Sequence, residues 1–314
     1  MNRFRMTVPA ALLAGTVLAP LGAQDVPTFE VSTHVVHLTV SVSDPKTKQF
    51  VTDLSRSDFR LLENGYPQDV VFFHQEELPV CAVLMIDMSG STQPYTEEIR
   101  VAARRFIDSL GPKDMASVVM FNRRPVIVQD FTSDHTELYA AVEREIERNE
   151  TSLYTAVYVT LRDLHAIEAP EAMEFRKTLV FLTDGIDTTS YVTAEQVLEA
   201  ARAADVTVYP VIVPLSGMDS LGAPRDSWSA QQFEMYAFLR DIARDTGGRL
   251  FEPPEMRQLG VTYANIAREV SVLYGLAYQT DRPLDGSYRY ITVQLPKRPG
   301  LNLRHRTGYR AVTH

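Results

Sequence analysis

Two continuous apolar segments constrain the fold of this chain more than any other feature. Residues 80–86 are apolar throughout, and residues 178–182 are apolar after Thr178. Such short runs are typical of strands buried on both faces of a sheet. Between them, apolar residues recur at helical spacing, as in Ile99, Ala103 and Phe106. Because parallel strands need crossover helices, the alternation predicts an α/β domain with a Rossmann-like, doubly wound, mostly parallel sheet.

Both ends of the chain have a different pattern. Residues 36–42 alternate apolar and polar, and the runs 59–62 and 70–73 flank Asn64-Gly65, a strong hairpin signal. After Tyr274, the short runs 276–279, 288–295 and 301–306 again indicate strands. Neither end alone has enough strands for a stable sandwich.

The two ends are therefore expected to pair into one small antiparallel, β-sandwich-like domain. It would comprise residues 27–78 and 274–312, with the α/β domain, residues 79–273, inserted between them. The alternative is two separate β appendages.

The first residues have the features of a secretory signal peptide. Arg3 and Arg5 precede the apolar run 8–21, and Ala23 offers a small residue at the end of a segment 1–23. The run is short for a membrane span, although an uncleaved anchor is an alternative. We therefore expect an exported protein, periplasmic or extracellular, with no membrane insertion after cleavage.

Charge and cysteine content narrow the classes of partner and of fold. Removal of residues 1–23, which hold two arginines and no acid, takes the formal net charge from −9 to −11. An acidic exported protein is a poor candidate for binding nucleic acid or an anionic membrane. The single cysteine, Cys81, cannot form an internal disulfide and is expected to be a buried small apolar residue.

Oxygen-bearing side chains follow the predicted buried strands. Asp87, Ser89 and Ser91 follow the first apolar run, Asp184 follows the second, and Thr151 begins a predicted helix. Because ligands bind beyond the carboxyl ends of strands in such sheets, these five residues are expected to meet in one crevice. Their oxygens are hard ligands that suit Mg²⁺ or Mn²⁺ in six-oxygen coordination. The alternative for any single residue is a helix cap.

The sequence resembles the von Willebrand factor type A family with a metal-ion-dependent adhesion site. The resemblance covers roughly residues 79–273, through the Asp-x-Ser-x-Ser motif at Asp87, through Thr151, and through Thr183-Asp184-Gly185. Residues 58–59, 63–68 and 306–309 are similar to a bacterial, exported branch of that family. The resemblance implies that Asp184 acts directly or through water, and that a partner's acidic side chain completes the coordination of the metal.

One position departs from the family pattern. Relatives often have glycines before the threonine, whereas Asn149-Glu150 precede Thr151 here. Glu150 is therefore a candidate extra ligand, or a charge that weakens the binding of acidic partners.

No motif for nucleophilic or phosphate chemistry is present, and we assign no catalytic residue. The expected function is a metal-dependent adhesion or assembly module that binds a protein and is not an enzyme. A metal-assisted hydrolase using Asp87 and Asp184, or a purely structural envelope protein, are the alternatives. Trp228 is either a partner anchor or, on our preferred interpretation, packed over a helix; Asp187 is either a tuning charge or a solvated loop acid.

Overall fold

The computed structural model describes residues 34–75, 78–147, 150–167, 175–184, 187–214, 221 and 224–312. The predicted signal peptide, residues 1–23, lies outside these ranges. Among the described residues, no helix has both the length and the apolar character that a bilayer span requires.

Strands and helices alternate in the middle of the chain and strands dominate both ends. The strands are β1 (His34–Ser43), β2 (Arg60–Glu63), β3 (Tyr66–Gln68), β4 (Val70–His74), β5 (Val80–Asp87), β6 (Met115–Phe121), β7 (Pro125–Thr132), β8 (Arg176–Thr183), β9 (Thr207–Ile212), β10 (Tyr274–Thr280), β11 (Tyr288–Gln294), β12 (Asn302–Arg304) and β13 (Gly308–Arg310). The helices are α1 (Thr96–Asp108), α2 (His135–Val142), α3 (Leu153–His165), α4 (Ala194–Ala203), α5 (Ala230–Asp245) and α6 (Leu259–Ser271).

The central sheet has the strand order β7-β6-β5-β8-β9. Strand β5 runs parallel to β6 and β8, and β8 runs parallel to β9, whereas β7 is an antiparallel edge strand. All eight residues of β5 are buried, because helices cover both faces of the sheet. The carboxyl ends of β5 and β8 therefore lie side by side at one edge.

Each face of the central sheet has its own core. Leu84 and Ile86 of β5 pack with residues of α1, α2 and α6, whereas Val83 and Met85 pack with residues of α3, α4 and α5. This alternation follows from the two-residue period of a strand. The predicted doubly wound arrangement is thus confirmed.

The two ends of the chain form the second part of the fold. Strand β1 pairs antiparallel with β10, from His34 opposite Thr280 to Val40 opposite Tyr274, in a sheet of order β12-β1-β10-β4. A second sheet has the order β13-β11-β2-β3. Side chains from both sheets, among them Leu38, Leu276 and Val293, share one apolar core. This pairing excludes separate appendages, while the predicted boundaries at 78–79 and 273–274 stay a prediction.

The predicted hairpin has a different second strand. Strand β2 pairs with β3 across Asn64-Gly65, whereas residues 70–74 form β4 and pair with β10 in the other sheet. Asn64 and Gly65 both have positive φ, at 48° and 83°, as a two-residue hairpin loop requires. The returning strand must therefore begin at Tyr66. The expectation that residues 70–73 pair with residues 59–62 in the hairpin was wrong.

One buried arginine joins the α/β domain to the β domain. Arg176, 4% exposed at the start of β8, donates hydrogen bonds to the carbonyl oxygens of Val270 at 2.9 Å and Leu273 at 2.8 Å. These carbonyls lie where α6 ends and the chain enters β10. The guanidinium thus holds the junction at the end of the sheet opposite Asp87.

Candidate functional site

Asp87 is the last residue of β5 and is fully buried. Its carboxylate accepts hydrogen bonds from the backbone N–H of Ser89 at 2.9 Å and from the Thr183 hydroxyl at 3.2 Å. The register of β5 against β8, with Ile86 opposite Leu182, places Thr183 beside it. The carboxylate is therefore fixed at the carboxyl edge of the sheet.

The loop after Asp87 carries the next two predicted ligands. Ser89 is 4% exposed, Ser91 is exposed, and their hydroxyl oxygens lie 3.0 Å apart. The buried hydroxyl of Thr92 lies 3.0 Å from the carbonyl oxygens of both Asp87 and Ser89, and this contact closes the loop. The two serine hydroxyls are thus held together, one inside the protein and one facing solvent.

Asp184 directly follows β8 and is 8% exposed. Burial, and then the negative charge of Asp184, raise the pKa of Asp87 to about 7. Hydrogen bonds from Ser89 and Thr183 lower this pKa but do not offset the increase. The structure therefore brings two carboxylates into electrostatic contact in a buried place, where a cation would stabilise both.

Thr151 is 5% exposed and lies two residues before α3. Its carbonyl oxygen accepts hydrogen bonds from the backbone N–H groups of Thr188 at 2.8 Å and Thr189 at 3.2 Å. The next residue, Ser152, donates its N–H to the carbonyl of Asn122, just after β6. Thr151 is thereby tied to the loops that follow β8 and β6, at the same edge as Asp87.

Asp187 has a role that its position in the sequence did not reveal. Its carboxylate accepts the backbone N–H of Tyr154, in the first turn of α3, at 3.2 Å and the hydroxyl of Ser190 at 2.5 Å. Ser190 in turn accepts the N–H of Thr155 at 2.9 Å. A residue of the loop after β8 therefore caps the helix that follows Thr151, a contact between distant positions that no local pattern signals.

Glu150 forms an ion pair with Arg123. Its carboxylate accepts a hydrogen bond from Arg123 Nε at 2.8 Å, and both side chains are more than half exposed. This ion pair gives Glu150 a cationic neighbour at the rim of the site. The pairing opposes a role of Glu150 as an extra metal ligand, and it also opposes a weakening of acidic-partner binding by the charge of Glu150.

The donors available at this edge fit a hard cation. The five residues provide carboxylate and hydroxyl oxygens, the ligands that Mg²⁺ and Mn²⁺ prefer. Within the described residues, no group of three or more histidine, cysteine, aspartate or glutamate side chains could hold a metal.

Trp228 packs within the fold. It is 9% exposed, and its ring lies 5.3 Å from the rings of Phe233 and Tyr236. The guanidinium of Arg225 lies 5.4 Å from the indole centre. This arrangement agrees with packing over α5 and not with a free partner anchor.

A family model for the von Willebrand factor type A domain matches residues 83–265. This match spans more than half of the chain and includes the motif at Asp87, Thr151 and Asp184. The chain therefore belongs to the von Willebrand factor type A family. No functionally curated protein matches the sequence.

This chain is similar to several solved structures. A von Willebrand factor type A protein from Catenulispora acidiphila is 14% identical, with a TM-score of 0.50, over 80% of this chain and 73% of that chain. An aerotolerance-related membrane protein from Bacteroides fragilis is 16% identical, with a TM-score of 0.47, over 61% and 98% of the two chains.

Proximal thread matrix protein 1 from the mussel byssus, in a structure with a zinc-occupied metal-ion-dependent adhesion site, is 15% identical, with a TM-score of 0.49. The alignment covers 67% of this chain and 50% of that chain. At such identities the likeness concerns the fold alone.

Proposed function

We propose that this protein binds a divalent cation, Mg²⁺ or Mn²⁺, through Asp87, Ser89, Ser91, Thr151 and Asp184. The observation that carries the proposal is the buried pair Asp87 and Asp184 at the ends of adjacent parallel strands. Two carboxylates in mutual repulsion cost folding free energy unless a positive charge is present. A divalent cation supplies that charge and uses the neighbouring hydroxyls as further ligands.

The cation in turn connects this protein to a partner. Five protein oxygens leave one position of an octahedral site for water or for an acidic side chain of another protein. The exposed side of the loop at Ser91 gives such a group access. The chain is thus an adhesion or assembly module, not an enzyme, and the β domain is its spacer.

The proposal also includes the location of the protein in the cell. The signal-like segment 1–23 directs the chain out of the cytoplasm, into the periplasm or the extracellular space, where it meets its protein partner. Detection of mature protein beginning at Gln24 in the exported fraction tests this part.

Isothermal titration with Mg²⁺ and Mn²⁺ tests the metal site. The wild type should bind one equivalent of at least one cation, and Asp87→Ala should show no measurable binding, since it removes a buried anionic ligand. Metal at a hundred times Kd should also stabilise the wild type by about 2.7 kcal/mol, and Asp87→Ala not at all.

Glu150→Gln is the matched control, because it removes an acid next to Thr151 that pairs with Arg123. Its metal affinity should stay within about twofold of the wild type, as expected for an exposed ion pair. Asp87→Asn, which keeps the size of the side chain, separates loss of the ligand from loss of the fold, with circular dichroism as the check. Equal binding by wild type and both Asp87 variants, or no binding by the wild type, contradicts the site.

A further inference from the structure

A broad groove lies between α6 and the β domain. It has a volume of about 1170 Å³ and runs between Arg268 and Val272 on one side and Lys48, Phe50 and residues 301–304 on the other. This volume exceeds the roughly 300–1,000 Å³ of typical small-molecule clefts. The groove therefore has the size for a segment of polypeptide.

Positive charge is concentrated in this groove although the whole protein is acidic. Four basic side chains line it, those of Lys48, Arg249, Arg268 and Arg304. Among the described residues, no acidic side chain lines it. Behind them, the buried carboxylate of Glu269 lies 2.5 Å from Arg304 Nη2 and 3.5 Å from Arg249 Nε. One carboxylate thus offsets the positive charge of two guanidinium groups, and a net positive charge remains.

The other two basic side chains add to the excess of positive charge in the groove. Arg268 and Lys48 are exposed, and neither forms a salt bridge within the part of the chain that the structure describes. Asp44, on the same turn, accepts hydrogen bonds from the backbone N–H groups of Thr47 and Lys46. These bonds lower the pKa of Asp44, and the charge of Lys48 helps to lower it, so Asp44 offsets part of the charge of Lys48. The groove thus offers net positive charge to an anionic occupant.

The wall of the groove on the β domain presents backbone as well as side chains. Strand β12, residues 302–304, is an edge strand of its sheet and pairs only with β1 among the described strands. An edge strand can accept an extended peptide as an additional strand. Phe50, Leu301 and Leu303, which also line the groove, offer apolar contacts to alternate side chains of such a peptide.

We propose that this groove binds an extended acidic segment of a partner protein, in which acidic and apolar residues alternate. Carboxylates of the segment pair with Arg268 and Lys48, its backbone extends the sheet at β12, and its apolar side chains contact Phe50 and Leu303. This is a second binding site, beyond the metal-dependent one.

The two sites lie near opposite ends of strand β8. Asp184 follows the last residue of β8, whereas Arg176, its first residue, bonds the end of α6 beside the groove. The strand rise of about 3.3 Å per residue separates these ends by roughly 25 Å. Binding in the groove therefore needs no metal and makes no contact with Asp87.

Fluorescence anisotropy with a labelled decapeptide of alternating glutamate and leucine tests the proposal on the full mature chain. We expect saturable binding at low salt in the presence of EDTA, weakened by added salt. Arg268→Glu should weaken binding about fivefold or more, because attraction becomes repulsion. Arg162→Glu, at a 66% exposed arginine on α3 across the central sheet, is the matched control and should leave binding unchanged.

Four results overturn the proposal. They are no binding by the wild type, equal binding by wild type and Arg268→Glu, binding that occurs in Mg²⁺ but not in EDTA, and displacement of the peptide by millimolar inorganic phosphate. The third places the peptide at the metal site, and the fourth reduces the groove to a general anion site. Because the assay contains chelator, failure of the metal site leaves its outcome unaffected.

Discussion

His305 shows how a single side chain can make the stability of this fold depend on pH. Its Nε2 accepts the backbone N–H of Val293 at 3.2 Å, so its Nδ1 carries the proton and donates to the carbonyl of Arg306 at 2.7 Å. Burial lowers the pKa of His305 below 6.5. The folded state therefore prefers the neutral ring, since a protonated Nε2 would face another donor.

The contribution of His305 to the free energy of unfolding should fall as pH drops from 7.5 to 5, because the unfolded chain takes up a proton at His305 before the folded chain does. Asp87, with its pKa raised to about 7, acts in the opposite direction in the same pH range, so the effect of His305 is the difference between the wild type and His305→Gln. His305→Gln should be less stable at pH 7.5 but lose less stability on acidification. Urea denaturation at several pH values measures both effects. His135→Gln should retain the wild-type pH dependence, and a variant His305→Gln that also retains it would show that another group is responsible.

At the scale of elements, the position of α3 decides where Thr151 lies. The helix does not cap itself, since its first turn receives the Asp187 carboxylate and the Ser190 hydroxyl from the loop after β8. The same loop binds the carbonyl of Thr151 through Thr188 and Thr189. One loop therefore sets both the start of the helix and the proposed ligand before it.

Replacing Asp187 by alanine should cost about 1 kcal/mol of stability, the usual effect of a lost helix cap. It should also weaken Mg²⁺ or Mn²⁺ binding several-fold, because Thr151 loses part of its support. Thermal unfolding and isothermal titration give the two numbers. Asp163→Ala, at an exposed acid of the same helix, is the control and should change neither. Unaltered metal affinity in Asp187→Ala would show that the helix cap does not support the metal site.

At the scale of the whole molecule, the two parts of the fold are joined where the chain passes from α6 into β10. Arg176 reaches this junction from β8 and donates to three carbonyl oxygens, those of Val270, Ser271 and Leu273. Arg176 is nearly fully buried. Loss of its guanidinium would therefore leave these carbonyl oxygens without a hydrogen-bond donor, because water does not reach them to take its place. The two parts are thus coupled through hydrogen bonds of a charged group.

Arg176→Met should lower the free energy of unfolding by about 2–4 kcal/mol, because charge-assisted bonds are lost and buried carbonyls remain. It should also weaken the cooperativity between the parts, so that calorimetry shows a broadened or split transition. Arg162→Met, at an exposed arginine, should leave the single transition intact. A sharp, unshifted transition in Arg176→Met would mean that apolar packing alone couples the two parts.

The sequence by itself determined the central sheet and the candidate ligands. A buried strand ending in an acid is visible locally, because residues 80–86 form a continuous apolar run and Asp87 follows at once. Asp184 follows its own run in the same way, and parallel strands bring such ends to one edge. Fold class and family membership were therefore predicted correctly, while the ligand assignments await the titration.

Only the tertiary structure decided the contacts that join distant positions. The sequence did not show that Asp187 caps α3, that Thr183 and Thr92 fix the Asp87 loop, or that residues 70–74 pair with β10 and not β2. Strand β13 was also missed, since three residues carry too little pattern. Periodicity reports which face of an element is buried, but a partner far along the chain is set by how the elements pack.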